Sequence, residues 1–229
     1  MKKIVVLFLA LAFAAGGFAQ SIARITIDRS GSLEHISIGL DENTVIYLGK
    51  DGSMLKWGFD RYAARGMENY DNSLDPYMGR VEYYGPNDDA AFRGKIKSIG
   101  RFQLTYFASY DNESFRGKLK SIGGLTFDYY QAFEDKAFQG NIKSIGQNSF
   151  TWYTAFDNEA FRGKLKSVGP TAITYYGSFE DKLIRGKVKT LGNSSFTWYT
   201  SFDLKEYGGA MKTGTQLQTL GAVKYFVKG

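Results

Sequence analysis

Five consecutive 23-residue segments begin at Ala91, Ser114, Ala137, Ala160 and Leu183. Each carries glycine at its fourth position (Gly94, Gly117, Gly140, Gly163, Gly186) and again at its tenth (Gly100, Gly123, Gly146, Gly169, Gly192). A fixed period of this size marks a repeat architecture, in which one supersecondary unit recurs and neighbours share a core. Each unit holds two strand-like pieces. In the first, GKLKSIG, Leu119 falls on one face and Lys118 and Lys120 on the other, and the piece stops at a glycine suited to a turn. The second piece alternates, with Phe150, Trp152, Thr154 and Phe156 on one side and Thr151, Tyr153 and Ala155 on the other. A unit is thus strand, short turn, strand, and a longer turn rich in Asp, Asn and Glu. Leu119, Phe127, Tyr129 and Phe133, with Phe150, Trp152 and Phe156, are expected on the packed side.

Two stackings fit such units. A parallel solenoid would place Lys97, Lys120, Lys143, Lys166 and Lys189 about 4.8 Å apart, where like charges repel. An antiparallel meander separates them by a Thr/Tyr-rich strand, to about twice that spacing. The expected fold class is therefore all-β, an antiparallel β-meander or solenoid of tandem 23-residue β-hairpin repeats. Units two and four match at 14 of 23 positions and neighbours two and three at 10, which points to duplication of a two-unit pair.

The pattern decays toward both ends, as capping repeats require. RITIDRSGSLEHISIG and VIYLGKDGSMLKWGF form two expected hairpins, the second turning at Asp51-Gly52. LQTLGAVKYF, residues 217–226, looks like a shortened closing unit. The organisation expected is a signal peptide at 1–19, an N-terminal hairpin section at 20–62, an irregular junction at 63–90, five repeats at 91–205 and a C-terminal capping hairpin at 206–229.

Lys2 and Lys3 precede an apolar run from Ile4 to Ala15 and a small-residue site at Gly17-Phe18-Ala19, the pattern of a secretory leader cleaved near Ala19. A secreted, periplasmic or cell-surface location follows, with no transmembrane segment after cleavage. Without cysteine there is no disulfide and no thiolate metal site. Removing the two leader lysines leaves 27 basic against 23 acidic side chains, a bias too mild for nucleic acid.

The GKIKSIG motif followed by a Tyr-Tyr or Trp-Tyr strand resembles tandem repeats of uncharacterised secreted bacterial β-proteins, over roughly residues 70–226. A weaker similarity is to the tyrosine-aspartate repeats of shell-forming toxins and adhesins, through Phe156-Asp157 and Gly163-Lys164-Leu165, with a longer loop between them and Phe replacing Tyr in most units. Neither resemblance implies an activity or a cofactor.

Catalytic ingredients are sparse. The single histidine, His35, has no nucleophile-elbow motif beside it. The carboxylates Glu134-Asp135, Asp157 with Glu159, and Glu180-Asp181 recur in the same loop, as turn formers do. Asp71, Asp75, Asp88 and Asp89 in the junction make up the alternative site, for calcium or hydrolysis. No metal or cofactor is expected, and the chain is taken as non-enzymatic, with a structural or interaction role at the cell envelope or outside the cell.

One face interleaves cations with aromatic rings: Lys118, Lys120 and Tyr130, then Lys143 and Tyr153, then Lys164, Lys166 and Tyr176, then Lys187, Lys189 and Tyr199. Such a face could stack sugar rings and pair acidic groups of an envelope glycan. It could equally be a solvated surface on which lysine stems cover aromatic rings. The partner is unknown, an envelope glycan or a protein; a free sheet edge adds possible self-association. The strands are shorter than the 9–11 residues of a transmembrane barrel.

Overall fold

The computed structural model describes residues 20–229; the predicted leader lies outside the described residues. Two sheets share one apolar core. The first contains β1 (Ser21–Ile27), β2 (Leu33–Gly39), β3 (Thr44–Leu48) and β4 (Met54–Phe59). The second begins with β5 (Val81–Tyr83) and continues through β6 (Ile96–Ile99), β7 (Phe102–Tyr106), β8 (Leu119–Ile122), β9 (Leu125–Tyr129) and β10 (Ile142–Ile145). It goes on through β11 (Asn148–Trp152), β12 (Leu165–Val168), β13 (Thr171–Tyr175), β14 (Val188–Leu191) and β15 (Ser194–Ser195). These eleven strands lie in strict chain order, each pair antiparallel, and the sheet is open at both ends. The expected meander is the observed arrangement. β16 (Thr197–Trp198) and β17 (Met211–Thr213) form a separate two-stranded ladder, and β18 (Leu217–Leu220) and β19 (Val223–Val227) close the chain.

Every unit supplies the same four core positions. In the third they are Ile142, Ile145, Phe150 and Trp152, all buried, and each has its counterpart 23 residues on, at Leu165, Val168, Ile173 and Tyr175. Within a unit the two strands are joined by a two-residue turn whose first residue is the tenth-position glycine, as Gly169 between Val168 and Thr171 shows. Its φ of 52° is the left-handed value that a type II′ hairpin needs there. The fourth-position glycine answers a second demand. At Gly163 φ is 67°, and a Cβ would lie 2.7 Å from the carbonyl oxygen of Ala137 in the preceding unit.

The final hairpin does not extend the array. β19 pairs in parallel with β1, from Arg24 opposite Lys224 to Ile27 opposite Val227, so the last strand enters the first sheet. That sheet turns Ile25, Ile27, Ile36, Ile38, Ile46 and Leu48 into the shared core. A row of alternate residues, Arg24, Ser37, Tyr47 and Lys56, pairs across β1 to β4, where strand alternation assigns it to the opposite face. The junction 63–90 meets this row: Arg24 donates from Nη1 to the Asn69 carbonyl at 2.8 Å and from Nη2 to Asn72 Oδ1 at 2.6 Å. His35, on β2, stacks on Tyr47 with 4.2 Å between ring centroids and shares a 3.0 Å hydrogen bond with Thr26.

Two N-terminal turns dock onto the repeats. The Lys50 carbonyl accepts the N–H of Ile142 at 2.8 Å. The carbonyls of Arg29 and Ser30 accept the ammonium groups of Lys187 and Lys164 at 2.7 and 2.5 Å.

Candidate functional site

The twelve-residue loops that return from one unit to the next lie along one edge of the array, opposite the two-residue turns. Each opens on two aromatic positions with different partners. The indole N–H of Trp152 donates back to the Ile142 carbonyl of its own unit at 2.9 Å, while the Tyr153 hydroxyl reaches forward to the Ile173 carbonyl of the next at 3.0 Å. Tyr130 and Tyr176 reach forward in the same way, to Phe150 and Phe196, each at 2.9 Å.

Lysines complete this lashing. Lys120, Lys166 and Lys189 place their ammonium groups 5.3, 5.3 and 5.5 Å over the rings of Phe107, Tyr153 and Tyr176 in the preceding unit. Lys143 and Lys212 sit likewise over Tyr130 and Tyr199. The second lysine column lies deeper. Lys118, Lys164 and Lys187 cover Tyr129, Tyr175 and Trp198 in their own units, and Lys118 and Lys164 also donate to the carbonyls of Gly140 and Gly186. Burial is the main cause that lowers their proton affinity, to about 8 at Lys164. The structure thus brings the eleven sequence-selected residues together as pairs between and within units. Lys120, Lys166 and Lys189 keep exposed stems, while Lys164 and Lys187 are covered by the N-terminal turn.

The loop crest holds what strand alternation misplaces. Phe133 and Phe156, expected on the packed side, point into solvent, and their counterparts do the same: exposure is 87% at Tyr110, 82% at Phe133, 96% at Phe156, 98% at Phe179 and 93% at Phe202. The alternation stops at Tyr153. The Asp157 carboxylate accepts the N–H and hydroxyl of Thr154 at 2.6 and 2.9 Å, closing a tight turn that carries Phe156 outward. Asp203 closes the same turn on Thr200 around Phe202. These hydrogen bonds, the backbone one first, hold both carboxyls below the usual carboxylate range.

Each crest is also tied to its predecessor. The residue just before every exposed ring gives its N–H to a side chain about one unit back: Ser109 to Asp89, Ala132 to Ser114, Ala155 to Asp135, Ser178 to Asn158 and Ser201 to Asp181. Arg162 and Arg185 donate from Nε to the carbonyls of Asp157 and Glu180, the residues that follow Phe156 and Phe179. The result is a ledge of five rings, one per unit, with neighbouring rings two strand spacings, about 10 Å, apart.

The junction carboxylates do not assemble. Asp75 faces Arg61 at 3.5 Å, Asp88 accepts the N–H of Gly85, and Asp89 holds Ala91 and Ser109. Among the described residues no three His, Cys, Asp or Glu side chains form a group able to hold a metal ion.

The model of the BspA type leucine-rich repeat region matches residues 86–203 in six copies, more than half of the chain. The chain belongs to the BspA-type leucine-rich repeat family. No curated protein and no solved structure matches it. In this BspA-type array the repeated apolar slots hold Ile, Leu and Val on the first strand and mostly Phe, Tyr and Trp on the second.

Proposed function

We propose that this BspA-type protein is a non-enzymatic interaction protein that works at the cell envelope or outside the cell and docks an extended polysaccharide along its aromatic ledge. The observation that carries this reading is the row Tyr110, Phe133, Phe156, Phe179 and Phe202, each more than four-fifths exposed and each fixed through the residue before it. Exposed rings gathered in one row along a single edge, rather than scattered over the surface, mark an interaction surface. Isolated rings at one fixed interval suit a partner that repeats, and a ring face suits the apolar face of a sugar. The family membership and the leader-like start support the location. The Lys and Tyr residues selected from the sequence serve, on this reading, as staples that hold neighbouring units of the ledge together.

The test is binding of the purified mature chain to envelope polysaccharides and intact cells, with and without Phe133→Ser, Phe156→Ser and Phe179→Ser combined. Loss of at least about tenfold in affinity with an unchanged melting temperature is expected. Equal binding by the triple variant would remove the ledge from function.

A further inference from the structure

The deep lysine column has four members, Lys95, Lys118, Lys164 and Lys187, and the fold treats its two halves differently. At Lys164 and Lys187 the carbonyls of Ser30 and Arg29 press onto the ammonium groups. At Lys95 and Lys118 no N-terminal turn carbonyl among the described residues reaches the ammonium groups; the Asp51-Gly52 turn stops against the Tyr129 ring beneath Lys118. Between β4 and the loops that carry Lys95 and Lys118 a cleft of about 690 Å³ remains open.

The lining of this cleft is chemically one-sided. Lys95, Lys118 and Arg116 contribute cations, and Trp57 and Tyr106 contribute ring surface. The acid of the cleft, Asp51, is engaged by the N–H and hydroxyl of Ser53 at 3.0 and 2.6 Å. Lys95 and Lys118 donate to the carbonyls of Gly117 and Gly140, and neither forms an ion pair among the described residues. The guanidinium of Arg116 has no hydrogen bond or ion pair of its own among them. Burial lowers the proton affinity of both lysines, offset in part at Lys118 by the charge of Asp51, so a single carboxylate in the cleft lining serves these three cations.

We infer that this cleft is a second binding site, distinct from the ledge, that takes a carboxylate-bearing sugar, with the carboxylate against Lys95, Lys118 and Arg116 and the ring against Trp57 and Tyr106. The volume is that of a small-molecule site. An ionised partner gives the stronger class of hydrogen bond to the ammonium and guanidinium groups. Nothing in this inference depends on the ledge.

Trp57 reports the site directly, because the other two tryptophans, Trp152 and Trp198, are buried and bonded within the array. Oligogalacturonates of two to four sugars are titrated into the mature chain while tryptophan emission is followed, with the corresponding uncharged galactose oligomers as the control. A saturable change in emission with the acidic oligomers is expected, lost in Trp57→Phe and weakened about tenfold in Arg116→Gln, an exposed position whose replacement leaves the fold intact. Lys95→Gln should weaken binding similarly, and the triple ledge variant should bind the short acids as the parent does. No response to the acids, or an equal response to the uncharged oligomers, overturns the inference.

Discussion

The carboxylate of Asp135 accepts the backbone N–H of Ala155, twenty residues later, at 3.0 Å from one oxygen and 3.1 Å from the other. Phe156, the next residue, is almost wholly in solvent. A side chain of one unit therefore sets the position of the exposed ring of the next, and the ledge is ordered by the repeats themselves. Asp135→Ala should free that N–H at a cost of about 1 kcal/mol, seen as roughly fivefold faster amide exchange at Ala155 while the core strands keep their protection. Exchange at Ala155 that stays at the parent rate would show that the loop is held by other means.

Gly163 joins a left-handed backbone to close contact with the Ala137 carbonyl. Gly163→Ala should cost about 2 kcal/mol in denaturant unfolding, more than the same change at an unstrained loop glycine. Gly124, where a Cβ meets nothing within 4 Å and no positive φ occurs, is the control.

Tyr153→Phe removes the hydroxyl bonded to Ile173 and leaves the ring under Lys166. A loss of about 1 kcal/mol is expected. Ledge affinity should not change, which separates a staple from a binding residue; a drop in affinity at equal stability would make Tyr153 part of the docking surface.

The acid response should centre on His35. Burial first, then the charges of Arg24, Lys228 and Lys56, lower its pKa to about 3, whereas an unfolded imidazole titrates near 6.5. On acidification the unfolded chain takes up the proton first. Stability from the neutral ring is complete above pH 6.5 and is lost as pH falls toward 3. By pH 5 the loss should be about 2 kcal/mol. Urea midpoints measured at pH 7 and pH 5 should converge in His35→Gln; an equal decline in the variant would move the acid sensitivity elsewhere.

Much of the architecture was legible in the residues. The glycine period located the units, and the crowding of Lys97, Lys120, Lys143, Lys166 and Lys189 in a stacked coil selected the meander. The ledge was not legible, because alternation was carried past Tyr153 into a turn that Asp157 and Thr154 close. Strand parity ends where a side chain captures the backbone, and Phe133 and Phe156 lie just beyond that point. The family was obscured by Phe, Tyr and Trp in slots that a leucine-rich repeat fills with aliphatic residues. The open cleft was hidden for a different reason: it depends on where the N-terminal turns land, and no periodicity within the array encodes that.

The most direct test of the account is the spacing of the ledge in solution. The chain has no cysteine, so Phe133→Cys with Phe202→Cys can carry two spin labels and nothing else reacts. Three units of meander are six strand spacings, and pulsed dipolar spectroscopy should give a narrow distribution centred at about 29 Å. A distance of about 14 Å, three spacings of a stacked coil, would contradict the meander and with it the ledge.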